Sequence, residues 1–166
     1  NGNSSNLTVV NSTLSGNFAG LVGGGIDNSG NLSSDNSIIF NNSAGFSGDD
    51  VFGSMTLQYT LTGGDGGTSN GNIVVNPANA NNVFITPLDP ATAPSPAGDF
   101  RLESSSPAIA QGDNALVPTE SSINFDYDGD GTINNPPVGT TTMPDLDGNP
   151  RIFGTVDMGA YEVPSG

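Results

Sequence analysis

The segments Asn6 to Ala19 (NLTVVNSTLSGNFA) and Asn31 to Ala44 (NLSSDNSIIFNNSA) share six of fourteen positions at an offset of 25 residues, and Leu7, Leu32 and Leu57 keep the same spacing. A period of this length is the tightest constraint on the chain. One such unit cannot bury its apolar side alone and must stack on its neighbour. Within the units, β-branched stretches (LTVV, SIIF, VFGSMTLQYTL) alternate with clusters of Gly, Asn and Ser, which is the pattern of strands and corners. Units with two or three short strands, each pairing with its equivalent one unit along, form the coils of a parallel β-helix. The matched pairs Asn11/Asn36 and Asn17/Asn42 are expected to stack as amide ladders between coils.

Composition supports an all-β chain. Long helices need runs of Ala, Leu, Glu, Lys and Arg, and none are present. Leu, Ile, Val and Phe number 38 of 166 residues, enough for a thin core. Seventeen acidic residues face only Arg101 and Arg151, with no lysine or histidine, so the net charge is −15. A field of that sign repels phosphates and excludes nucleic acid as a partner. No apolar run approaches the length of a membrane span, so no membrane insertion is expected. The lack of cysteine rules out a disulfide-stapled fold and thiolate metal sites. Without His or Cys, Ser-His-Asp and Cys-His catalysis fall away as well.

Four stretches carry a resemblance: GGGIDNSGNLSSDNSIIFNNSA, GNI with NPANANNVF, DFRLESSSPAIAQGDNA, and DLDGNPRIFGTVDMGAYE. The chain resembles the C-terminal part of bacterial right-handed parallel β-helix surface proteins of the choice-of-anchor or polymorphic-outer-membrane-like repeat kind. The likeness covers nearly the whole chain, and its last two stretches are the specific ones. It implies an all-β architecture of right-handed parallel β-helix, about two to three coils over residues 1–87, followed by an irregular β-rich C-terminal capping module over 99–166. In that module the chain leaves the helix, runs along it and caps it. A Pro/Ala linker, 88–98, should run extended between the two. The resemblance also implies an extracellular or cell-surface location. Residues 119–137 depart from it and read as an insertion.

That insertion holds the clearest candidate site. In NFDYDGDGTINN, Asp126, Asp128 and Asp130 occupy alternate positions before Gly131, as in a loop that points its first, third and fifth side chains at one calcium ion. The Thr132 carbonyl and the Asn134 side chain fall where the seventh and ninth ligands belong. The twelfth position, which should close the shell with a carboxylate, is Pro137, so the closing ligand must come from elsewhere, with Asp145 or Asp147 the nearest candidates, or be water, or be absent. Ca2+ is the expected cofactor; the competing reading is an exposed Asp/Gly turn.

Other candidates read as structural. Asp49-Asp50 resembles the paired aspartates of pectin-hydrolysing β-helix enzymes. The Asn-Thr-Asp, Ser-His-Gly and Arg-Ile-Lys companions of that pair are missing, so a corner before Val51 is expected. Arg101, near Asp99 and Glu103, and Arg151, near Asp145 and Asp147, are expected to form ion pairs that pin the module. Tyr161 and Glu162 are expected in a final packed strand. The function expected is a non-catalytic extracellular structural or adhesive module, with carbohydrate or another subunit as partner. One alternative is a filament subunit stacking head-to-tail on itself through an uncapped first coil, in place of upstream coils of a longer chain. A second is the cap of a β-helix polysaccharide-active enzyme.

Overall fold

The computed structural model of the protein describes residues 6–64, 67–119 and 144–164. Among these residues the chain is β-rich, with eleven short strands, three 3-10 turns and no α-helix. The first sheet is formed by β1 (Asn6–Val10), β4 (Ile26–Asp35) and β7 (Val51–Gln58), all parallel and in that order. The second contains β2 (Thr13–Leu14), β5 (Ile38–Ile39), β8 (Leu61–Thr62) and β9 (Ile73–Val74), again all parallel. The third pairs β3 (Phe18–Ala19) with β6 (Ser43–Ala44). The sheets are small.

The register of the first pair in each sheet follows the sequence period. Leu7 faces Leu32, Thr13 faces Ile38, Phe18 faces Ser43 and Val22 faces Ser47, each pair one full period apart. The next interval begins the same way, with Ile26 opposite Val51, and then shortens. Leu32 faces Met55, Ile38 faces Leu61, and Asp35 faces Gln58, 23 residues on. The lost two residues sit in an irregularity in β4 between Asn28 and Leu32. Its cause is local. Asn28 Nδ2 donates to the carbonyls of Gly30 and Ser54, both at 3.0 Å, and Gly30 N donates back to Asn28 Oδ1. Such a bulge takes residues out of the ladder and bends the strand. β7 passes so near that a Cβ on Gly53 would collide with the Asn28 carbonyl. In consequence Leu57 lies opposite Ser34, so the leucine series that runs from Leu7 to Leu32 does not extend to it.

Corners turn on left-handed residues. Asn11 and Asn36 hold φ near +45° and +48°, which asparagine tolerates best among residues with a side chain. Tyr59, which follows Gln58 as Asn36 follows its strand partner Asp35, holds φ near +48° at the corresponding corner. The corner's backbone persists where its residue type does not.

β5 separates two apolar clusters. Successive side chains of a strand point to opposite faces, and the fully buried Ile38 and Ile39 enter different cores. Ile39 packs with Ile26, Leu32 and Val51 between the parallel sheets. Ile38 joins Phe40, Leu61, Val83, Phe84, Leu102, Ala108 and Met158. This second cluster draws on both the N-terminal and the C-terminal parts of the chain, which therefore share one core. Its hub is Phe84, whose ring meets Phe40 at 6.3 Å and Phe100 edge-on at 5.5 Å. Phe84 belongs to β10 (Phe84–Thr86), which pairs antiparallel with β11 (Asp99–Leu102).

Between those strands the 88–98 segment stays at the surface but is tied down at its start. Asn41 Nδ2 donates to the Leu88 carbonyl at 2.8 Å, and Pro90–Thr92 form a 3-10 turn capped by Asp89. Further on, residues 156–160 dock on the flank of the second sheet. Gly159 N donates to the Asn36 carbonyl at 2.8 Å, Ala160 N to Thr13 Oγ1 at 3.0 Å, and Met158 N to the Ala108 carbonyl at 3.0 Å. Gly159 is required there, since a Cβ would lie 2.7 Å from Thr13 Oγ1 and 2.9 Å from Ile38 Cδ1. Tyr161 and Glu162 form no strand, contrary to expectation: this segment is held by side chains rather than by a neighbouring strand.

Candidate functional site

The loop residues Asp126, Asp128, Asp130, Thr132 and Asn134 lie outside the described residues. Their two candidate completing ligands are described, and they differ. Asp147 is exposed. Asp145 is buried and fully engaged: Oδ1 accepts from Asn149 N at 2.6 Å, and Oδ2 from Asn149 Nδ2 at 3.1 Å and Glu162 N at 2.9 Å. The DLDGN stretch is thus a closed turn, with Gly148 at positive φ and the Asp145 carboxylate at its centre. Among the described residues no group of three His, Cys, Asp or Glu side chains has the arrangement of a metal site.

The arginines separate by depth. Arg101 is exposed and chelates Asp99 through Nε at 2.9 Å and through Nη2, which pulls the Asp99 carboxyl below its usual range. Arg151 is buried, and its partner is Glu162, at 3.5 Å, in place of the expected Asp145 and Asp147. Its guanidinium also donates to the carbonyls of Gly159 at 3.0 Å, Ala160 at 3.2 Å and Pro144 at 3.4 Å. Both Glu162 oxygens accept from Asp157 N at 3.2 Å, while Asp157 itself accepts from Ala110 N at 2.6 Å and Val163 N at 2.7 Å. Burial pushes Glu162 up to about 8 and raises Asp157 too. The same burial lowers Arg151. All three groups are buried, and their contacts among the described residues are with backbone groups and with one another.

Asp49 and Asp50 are split between surface and interior. Asp50 is 2% exposed; its Oδ1 accepts from Asn42 N at 3.1 Å and Asn42 Nδ2 at 3.0 Å, and its Oδ2 from Gly63 N at 2.6 Å. Asp49 reaches solvent, with Oδ1 accepting from Ala44 N at 2.8 Å. Two carboxylates that work on one glycosidic bond must both be available to it; Asp49 and Asp50 border one hollow of about 200 Å3, but both Asp50 oxygens are already held by protein N–H groups. The expected corner before Val51 is what this pair builds.

Asp49 nevertheless lines a feature that the sequence did not signal. Three hollows of about 310, 290 and 200 Å3 adjoin here, with Pro77 lining all three. The first two share Asn41, Pro77, Asp89 and Pro90, and the first and third share Asp49 and Pro77. Phe18 walls the first hollow with 54% of its surface exposed. No arginine lines any of the three. Phe18 could not be singled out beforehand, because an aromatic in a repeat strand reads as core. The Asp89-Pro90 pair signals a turn and nothing more.

No protein-family model, no curated protein and no solved structure matches the chain.

Proposed function

We propose that the protein is a non-catalytic, extracellular structural or adhesive module built on coils of a right-handed parallel β-helix. The observation that carries this reading is the shared offset: four separate parallel contacts, in three sheets and at one bridge, all advance by the same sequence period. Repetition of the chain path at these four contacts supports a coil. The ladders Asn17 Nδ2 to Asn42 Oδ1 at 2.9 Å and Asn31 Nδ2 to Asn6 Oδ1 at 3.1 Å support the same stacking. A structural role is supported by the chemistry of the buried carboxylates, which hold backbone N–H groups. Calcium belongs to this proposal as the ion that stiffens the Asp126–Asn134 loop, with Asp147 the freer of the two closing candidates.

A second reading has an observation of its own. Among the described residues β1 pairs only with β4, and Leu7 on β1 is 42% exposed. An edge of this kind accepts a further parallel strand, so self-stacking into filaments is the alternative. Electron microscopy of the purified protein, with calcium and with a chelator, separates the two. Isolated particles that bind polysaccharide without cleaving it support the adhesive module. Regular fibres replace it with the filament reading, and release of shortened sugars from a polysaccharide sinks both.

A further inference from the structure

We propose that the groove between β3, β6 and the turns Pro77–Asn82 and Pro90–Thr92 is a binding site for a neutral, hydroxyl-rich oligosaccharide. The inference deepens the adhesive reading and rests on it. The three hollows together have room for several sugar rings, since a single ligand pocket typically measures about 300 Å3 or more, and Pro77, which lines all three, makes them adjoining positions in one recess.

The lining supplies both kinds of contact that a sugar needs. A pyranose presents C–H groups on its faces and hydroxyls around its rim. Phe18 offers an exposed aromatic face, electron-rich and suited to polarised C–H groups. Pro77 and Pro90 extend this apolar wall with rigid rings. Around it stand Asp49 and Asp89. Each has Oδ1 fixed by a backbone N–H, that of Ala44 at 2.8 Å and that of Ala91 at 2.9 Å, which orients the carboxylate in advance. Their Oδ2 atoms have no hydrogen-bond partner among the described residues. An ionised carboxylate is acceptor-only and takes hydroxyl donors well.

Charge selects the class of glycan. No cationic side chain lines the groove and the chain carries a net charge of −15, so uronates and sulfated sugars are repelled. A protein of the same charge would be repelled too. A neutral glycan meets no such field, and its hydroxyls match the free oxygens.

The test is titration of the chain, followed by NMR or calorimetry, with cello-, xylo- and manno-oligosaccharides. Oligogalacturonate serves as the acidic control and chito-oligosaccharide amine as the cationic one. At least one neutral series should bind. Phe18→Ala should weaken that binding roughly tenfold while Phe18→Trp preserves it, and Asp49→Asn and Asp89→Asn should each weaken it severalfold. Phe18 is exposed, so the thermal midpoint of its variants should stay close to that of the parent, which shows that any loss is local. Neutral-glycan binding that survives Phe18→Ala overturns the site but leaves the adhesive reading standing elsewhere on the surface. Binding confined to the cationic control and abolished by salt overturns the site as well, replacing stacking with charge. No binding to any glycan overturns both the site and a carbohydrate-adhesive role, while leaving the filament reading to microscopy.

Discussion

The repeat sheets and the C-terminal module solve the same problem by different means. In residues 6–64 backbone N–H and C=O groups pair with those of the equivalent strand, and side chains only reinforce the stacking, as Asn17 and Asn42 do. In residues 106–163 there is no equivalent strand among the described residues. Side-chain oxygens take its place: Asp145 holds the N–H groups of Asn149 and Glu162, Asp157 those of Ala110 and Val163, and Asn114 that of Val156. Buried backbone donors must be satisfied by something. Where repetition ends, a sequence has to provide acceptors one at a time, and this one adds carboxylates and amides to the isolated backbone carbonyls that hold Gly112, Leu146, Met158 and Gly159.

The comparison can be broken at the module first. Arg151→Met should remove the buried cation that ties Glu162 to three carbonyls, and cost about 3–5 kcal/mol because the remaining buried groups lose their partner. Urea unfolding measures it, and because the core is shared the whole chain should lose stability together. A loss below about 1 kcal/mol would mean that the module is incidental.

The two corner asparagines sharpen the contrast. Asn36 uses both ends of its amide on the module, donating to the Asp113 carbonyl at 2.8 Å and accepting from Asp113 N at 2.7 Å. Asn11 has the same positive φ, but its Oδ1 has no partner among the described residues. Asn36→Ala should therefore cost about 2–4 kcal/mol and Asn11→Ala about 1 kcal/mol, the difference being the two bonds. Equal losses would assign the whole effect to backbone strain.

Titration should show the module next. Glu162 and Asp157 bind protons more tightly folded than unfolded, so the folded state holds more protons across the window from about 4.5 to about 8 for Glu162. Stability must then fall as pH rises through that window and level off outside it. Thermal scans between those limits should show the decline, and Glu162→Gln should flatten it. The smallest effect belongs to Arg101, whose pair with Asp99 is exposed. Arg101→Ala should leave the urea midpoint unchanged within error.

Legibility divides along the same line. The period of 25 could be read because Leu7 and Leu32, and the Asn pairs, repeat within the distance over which local pattern is visible. The shortening to 23 could not, because Asn28-Ser29-Gly30 resembles any other corner until its amide is seen bridging to Ser54. Asn36 matches Asn11 in the sequence pattern but turns to Asp113 instead, 77 residues away. Glu162 reads as part of a terminal strand until burial places it beside Arg151. Nor does sequence divide Asp49 from Asp50, although one faces solvent and the other the interior. Alternating period carries the sheets; the module is a set of single long-range contacts, and single contacts leave no period.

The bond from Ala160 to Thr13 spans 147 residues, and Ile38 completes its packing only against Met158 and Gly159. Non-local closures of this kind slow folding, because a long loop must be ordered before its contact forms. During synthesis the outer face of β5 can meet Val83, Phe84 and Leu102 first and is completed only when residues 156–160 have left the ribosome, while the inner face can already close around Ile39. The chain thus carries its own delay: it can assemble its sheets early, and the late segment completes their cover.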